Sequence, residues 1–294
     1  MALVNIKDML EKARKEKYCV GAFDASTIEM AIKIVEAAEE KKSPVILMGL
    51  TPDLVQGNGD MLDYWVYSLS QMAKKASVPV CLHLDHAKDM DFLKKCVDAG
   101  FTSVMYDASE HPLEENIRLS KEAAEYAHAH GATVEAELGH VGDGIISGEA
   151  KADNDYDNPD DYLTNPDEMK RFIDETGVDC LAVAVGTSHG VYVHTPKLHF
   201  DRLDTLNEIS KVPMVMHGGS GTPDDQVKKA IEKGICKLNI YSEMMSAYYT
   251  ELKKKLDESA TMSIWVSRAN EKPLEALKEV VKEKIDLMGS ANKA

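Results

Sequence analysis

Short apolar runs rich in β-branched residues alternate along this chain with longer segments whose apolar residues recur every three or four positions. The runs fall at roughly 18–23, 44–48, 79–84, 103–106, 133–137, 180–185, 213–216 and 237–240, and they predict strands. Between them, Ile28, Ala31, Ile32 and Val35, or Val227, Ala230 and Ile231, make single apolar helix faces. Helix starts are signalled by Ser26 with Glu29, and by Thr222 before Pro223 and Asp224. Gly100, Gly131, Gly177 and Gly234 each stand between a helical pattern and the next strand. Eight such β-then-α units predict an α/β protein, a closed parallel (β/α)8 (TIM) barrel in one domain over 1–294. An amphipathic stretch at 273–288 predicts an additional C-terminal helix. An open doubly wound sheet accommodates the same alternation, but it would not bring the ends of strands three, six and seven to one point. One segment breaks the rhythm: residues 139–161 are Gly- and Asp-rich and poor in apolar residues. This segment follows strand five, which predicts a mobile lid over the barrel mouth.

The chemistry-bearing residues gather at strand ends. His86 follows strand three, His189 strand six and His217 strand seven. Three neutral imidazoles with an open fourth position are a common catalytic Zn²⁺ site. Asp85 directly precedes His86 and is placed for proton transfer. His83 and Asp85 are two apart on a strand and share a face, and His83 reads as a supporting core histidine. Glu135 and Glu137 likewise share a face of strand five, and Asp107 ends strand four. Inward carboxylates need partners, so they are expected to hold a second cation or to orient the histidines. Small residues follow two of the histidines, in Gly186–Gly190 and Gly218–Gly221. The loops after strands seven and eight, which include Gly218, Gly219 and Ser220, are where many such barrels hold phosphate. His128 and His130 sit at a helix end, where a dipole contact is expected.

Charge and cysteine usage narrow the partners. Lys+Arg total 34 against 50 Asp+Glu, a net charge of −16, which disfavours nucleic acid and anionic membranes. The five cysteines lack any close pair and fit a reducing, cytoplasmic setting. The first 17 residues are amphipathic and charged, without the apolar segment of a signal peptide.

Over nearly its whole length the chain resembles the class II, zinc-dependent ketose-bisphosphate aldolases, most closely the tagatose-bisphosphate branch. GAFDASTIEM, HLDHAKD, VEAELGHVG, TGVDCLAVAVGTSHG, HGGSG and KLNIYSE carry the resemblance. It implies Zn²⁺ on His86, His189 and His217, with Asp85 as general acid/base. It implies that Gly190, Gly218, Gly219, Ser220, Asn239 and Ser242 hold the phosphate of dihydroxyacetone phosphate. Asp107 and Glu137 match positions for a second cation, and a monovalent cation such as Na⁺ is expected near the phosphate. A sugar-phosphate substrate, a place in carbohydrate metabolism such as glycolysis, and a homodimer or homotetramer are further expectations.

Three positions depart from the family pattern. Asp24 stands where many relatives have Asn, and an ionised Asp cannot donate a hydrogen bond. Val193, with His194 after it, occupies the region where relatives carry a cationic phosphate contact. Arg268 is the candidate for the distal-phosphate arginine, in a segment that does not align cleanly. The expected activity is therefore reversible aldol cleavage of a tagatose- or fructose-1,6-bisphosphate-like ketose. The alternatives are a modified or monophosphorylated ketose, a metal-dependent hydrolase, and a non-catalytic sugar-phosphate binder.

Overall fold

The computed structural model describes residues 2–55, 61–143, 145–146, 149–150, 162–192 and 194–294. Eight parallel strands close a barrel: β1 (Val20–Asp24), β2 (Val45–Leu50), β3 (Val80–Ala87), β4 (Ser103–Tyr106), β5 (Thr133–Leu138), β6 (Cys180–Val183), β7 (Met214–Met216) and β8 (Ile235–Ile240). Neighbours follow chain order and β8 pairs with β1, with Ala22 opposite Asn239. The predicted strands are all present. The largest shift is at β3, which runs on through Asp85 and His86 to Ala87.

Helix boundaries follow their capping residues. The Thr27 side chain accepts from the Met30 amide ahead of the helix Ile28–Lys41. Ahead of the helix Met90–Ala99, Asp89 accepts from the Phe92 amide. Gly100 and Gly177 close helices in the left-handed conformation, at φ of 115° and 73°, which costs glycine little. The C-terminal helix, Val266–Leu287, starts ahead of the expected Pro273 and carries that proline inside it. Ala269, Pro273, Leu274, Leu277, Val281 and Ile285 are buried on one side of this helix. That burial offsets the backbone hydrogen bond a proline cannot make.

An N-terminal helix, Ile6–Glu16, lies outside the eight units. Its Ile6, Met9, Leu10 and Ala13 pack with Val20, Ala22, Ile46, Cys81, Cys180 and Val215. These strand residues sit two apart or in register, so they form the interior of the lower barrel and the helix plugs its floor. Arg14 fastens the plug by donating to the Ser210 and Val212 carbonyl oxygens at 2.8 and 3.2 Å. All five cysteines are buried and free. Among the described residues no helix is long and apolar enough to cross a membrane.

Most of the segment expected to be a lid lies outside the described residues. Its first part, Gly142–Asp143, pairs in parallel with Ser188–His189, which ties the loop after β5 to the one carrying His189.

Candidate active site

The period of two that buries Val20 and Ala22 below puts Asp24 in the barrel at the C-terminal end of β1. The same alternation stacks His83 and Asp85 on β3, and Glu135 and Glu137 on β5. Every one of these side chains is buried. The upper half of the barrel is therefore filled by ionisable groups, most of which are paired with one another.

His86, His189 and His217 converge. His217 Nδ1 lies 2.8 Å from His86 Nε2 and 3.3 Å from His189 Nε2. A tetrahedral Zn²⁺ with bonds of about 2.0–2.1 Å separates its ligand nitrogens by about 3.3 Å. The far nitrogens of two rings are held by carboxylates. His86 Nδ1 donates to Asp107 Oδ2 at 3.2 Å, and His217 Nε2 donates to Glu135 Oε1 at 2.8 Å. Those bonds fix the tautomers that turn lone pairs toward the common point. The donor set and its spacing thus fit a divalent metal. His86 lies within β3 at φ 49°, so it is anchored in the strand rather than following it as the sequence predicts.

A polar chain runs through the barrel beneath this point. Lys237 on β8 is fully buried. Its ammonium group donates to Glu135 Oε2 at 2.9 Å and to Asn239 Oδ1 at 2.7 Å. Asn239 Nδ2 in turn donates to Asp85 Oδ1 at 3.1 Å. Burial pushes the Asp85 carboxyl up, but His86, His83, His217 and Lys237 outweigh it and hold it well below the usual range. Asp85 is therefore an ionised base. Burial lowers the Lys237 pKa, whereas Glu135 and Asp85 raise it above the usual lysine value. Lys237 stays an ammonium ion and is no Schiff-base nucleophile. His83 fills the gap between Asp85 and Glu135, at 3.7 Å from each, and its Nδ1 pairs with Ser103 Oγ at 2.8 Å.

Asp107 and Glu137 differ from one another. Asp107 accepts from Ser109 as well as from His86 and is held below the usual range despite burial. Burial and the nearby Asp107 push Glu137 up to about 8. Asp107 thus orients His86 in this structure, whereas Glu137, whose Oε2 lies 3.8 Å from His217 Nδ1, is held toward its neutral form.

A cavity of about 880 Å³ opens over these groups. Asp24, Asp85, His86, Asp107, Glu137 and His189 line it. Gly190, Gly218, Gly219, Ser220, Asn239 and Ser242 line the same cavity. Gly218 has φ 66°, and a Cβ there would stand 2.3 Å from the Ser188 carbonyl oxygen, so only glycine fits. Ser220 Oγ accepts from the Tyr241 amide at 3.1 Å. That contact draws the loop after β7 to the N-terminus of the helix Ser242–Asp257, where backbone N–H groups favour an anion.

Arg268 is not brought into the site. It is exposed at the start of the C-terminal helix, 3.8 Å from Glu271, and does not line the cavity. The expectation failed because the helix begins seven residues ahead of Pro273, at Val266, and carries this arginine on its solvent side. Val193 lies outside the described residues. Sequence reasoning passed over His140, Lys88 and Tyr241, which line the cavity. It also passed over Tyr192, whose hydroxyl donates to the Gly218 carbonyl oxygen at 2.7 Å and accepts from the Ser188 amide at 3.1 Å. Tyr192 therefore locks together the loops that carry His189 and His217. A lone aromatic in a Gly-rich loop offers no pattern that would have found it.

Fold and site together define a metal-dependent (β/α)8 enzyme. Residues 4–293 match the family model described as fructose-bisphosphate aldolase class-II, and the chain belongs to that family. It is 37% identical over 300 residues to a 6-phospho-5-dehydro-2-deoxy-D-gluconate aldolase of Bacillus subtilis, across 100% of this chain and 98% of the relative. It is also 37% identical to a fructose-bisphosphate aldolase of Geobacillus stearothermophilus, across 100% and 99%. The crystal structure of the YdjI aldolase from Escherichia coli K12 superposes with a TM-score of 0.85 at 34% identity, covering 99% of both chains. The protein is a class II aldolase.

Proposed function

We propose that the protein is a Zn²⁺-dependent aldolase that reversibly cleaves a ketose phosphate to dihydroxyacetone phosphate and an aldehyde. The observation that carries this reading is the convergence of His86, His189 and His217 beside an ionised Asp85, at a cavity that Gly218, Gly219, Ser220 and Ser242 also line. A Zn²⁺ held by the three histidines would supply Lewis acidity to the oxyanion that develops as the carbon–carbon bond breaks. Asp85 accepts the proton of the C4 hydroxyl as the C3–C4 electron pair moves to C3, and it returns that proton in condensation. Asn239 holds Asp85 in place. Gly218, Gly219, Ser220 and the helix N-terminus at Ser242 receive the phosphate.

A substrate with one phosphate, at the ketose end, is favoured over a bisphosphate. Among the described residues lining the cavity Lys88 is the one lysine and arginine is absent, while Asp24, Asp53 and Glu110 face the same space. Lys88 is already paired with Glu110 at 3.0 Å. A second phosphate would meet an acidic wall. Self-association is also inferred, from Met262, Trp265 and Val266, which expose large apolar side chains together ahead of and into the C-terminal helix.

Exchange of the C3 hydrogens of dihydroxyacetone phosphate in D₂O, followed by NMR, tests the reading without knowledge of the aldehyde. Stereospecific exchange that disappears with chelator and returns with Zn²⁺ is expected. Turnover that survives complete metal removal would exclude it.

A further inference from the structure

Asp24 is a carboxyl group with no cation beside it among the described residues. It is fully buried at the mouth of the barrel and lines the cavity. Its Oδ2 accepts the Ser26 hydroxyl, whereas Oδ1 has no hydrogen-bond partner. The strand register places Met48 on one side of it and, one residue beyond the Phe23–Ile240 pair, Tyr241 on the other. The charged groups that bear on it are Asp53 and Asp85, both negative, while Tyr241 is a phenol held neutral by burial. An isolated buried carboxylate costs far more than a buried carboxylic acid. Burial, then Asp53 and Asp85, against the opposing Ser26 bonds, push Asp24 up to about 8. Because Ser26 supplies the hydrogen bond to Oδ2, the acid proton resides on Oδ1, the oxygen with nothing to meet.

We propose that Asp24 is a substrate-binding acid: it meets the ketose as a neutral carboxylic acid and donates from Oδ1 to an oxygen of the phosphorylated half. This inference rests on the aldolase reading for its substrate. Its position supports the assignment. β1 lies between β8, which supplies Asn239, and β2, beyond which β3 carries Asp85. A sugar that spans from the phosphate loops to the base crosses Asp24. A protonated carboxyl supplies the donor that an ionised one lacks, and an acceptor oxygen bearing negative charge strengthens that bond. Asp24 thereby selects a ligand oxygen that accepts. Asp53 and Asp85, which line the same cavity, disfavour a substrate that brings a carboxylate to this wall.

The test pairs spectroscopy with kinetics on the zinc-loaded full chain. Difference infrared spectra of wild type against Asp24→Asn at about pH 6 are expected to show a protonated-carboxyl C=O band. Dihydroxyacetone phosphate should shift that band to lower frequency. Asp24→Ala is expected to slow C3 hydrogen exchange about 10- to 100-fold, and Asp24→Asn, which keeps a donor in the same shape, to recover most of the loss. A rate that falls as pH rises through about 8 in wild type and not in Asp24→Asn would support the same conclusion. An ionised-carboxylate band for Asp24 at about pH 6 overturns the proposal. So does a folded Asp24→Asn protein as slow as Asp24→Ala. If wild type shows the protonated band but exchanges no hydrogen, the substrate reading fails while the protonation state of Asp24 stands.

Discussion

The lower and upper halves of this barrel interior are built from opposite materials. Below, Val20, Ile46, Cys81, Cys180 and Val215 close on the apolar side of the N-terminal helix. Above, Asp24, His83, Asp85, Glu135, Glu137, His217, Lys237 and Asn239 are equally buried. Burial of the lower set stabilises the fold by roughly 25 cal/mol per Å². Burial of the upper set opposes folding unless charges are matched. The same strands carry both, so two to four residues of backbone separate the part that holds the protein together from the part that does chemistry. Asp85 directs the contrast: its charge is useless for packing and required for proton transfer.

The largest effect that would sharpen this contrast is at Asp85. Asp85→Asn is expected to lower kcat by about 10²- to 10⁴-fold, with a melting temperature unchanged or raised. Exchange rates and thermal melts on one preparation check it. A stability loss that matches the activity loss would mean Asp85 is structural, and the division between the halves would not hold.

Lys237 provides the next test, because it is where the upper half is held together. Lys237→Met leaves the Glu135 carboxylate buried without its cation and is expected to destabilise the fold by about 3–5 kcal/mol. Zinc affinity should fall about 10- to 100-fold as His217 loses its fixed partner. Adding Glu135→Gln should restore most of the stability and little of the zinc affinity. Denaturant melts and metal titrations of the two variants separate these outcomes. In the lower half, Leu10→Ala is expected to cost about 2–5 kcal/mol and to leave the rate per folded molecule unchanged. A changed rate would show that the floor helix reaches the site.

Legibility in the sequence follows the same division. Strands, the barrel and the strand-end histidines were readable because strand period and loop position are local properties. Asp85, His86, His189 and His217 needed only their places at the ends of apolar runs. Lys237 was not readable. It lies inside the strand ICKLNI, where a lysine reads as solvent-facing, and its partner Glu135 is 102 residues away. Arg268 misled because a proline reads as a helix start when packing allows it inside. The N-terminal helix showed its amphipathic pattern, but nothing local says that it plugs a barrel. Groups paired across the barrel, or positioned by where a helix docks, depend on contacts that no sequence window contains.

Asp24 departs from the pairing in the upper half, since among the described residues no cation stands beside it, and it gives the smallest and most discriminating prediction. In the fold its pKa is raised to about 8 from an ordinary value of 3.8. A raised acid binds its proton more tightly folded than unfolded. Its contribution to stability is therefore fully present below the unfolded value, declines as pH rises, and is gone above about 8. Asp24→Asn is neutral at every pH and escapes this decline. The variant should lie nearest wild type in acid and gain on it as pH rises, by roughly 1.4 kcal/mol per pH unit until about 8. Paired melts of the metal-free proteins at about pH 5 and about pH 9 measure the difference directly. A gap that stays constant across that range would mean Asp24 is ionised throughout, and the assignment of a neutral acid there would fail.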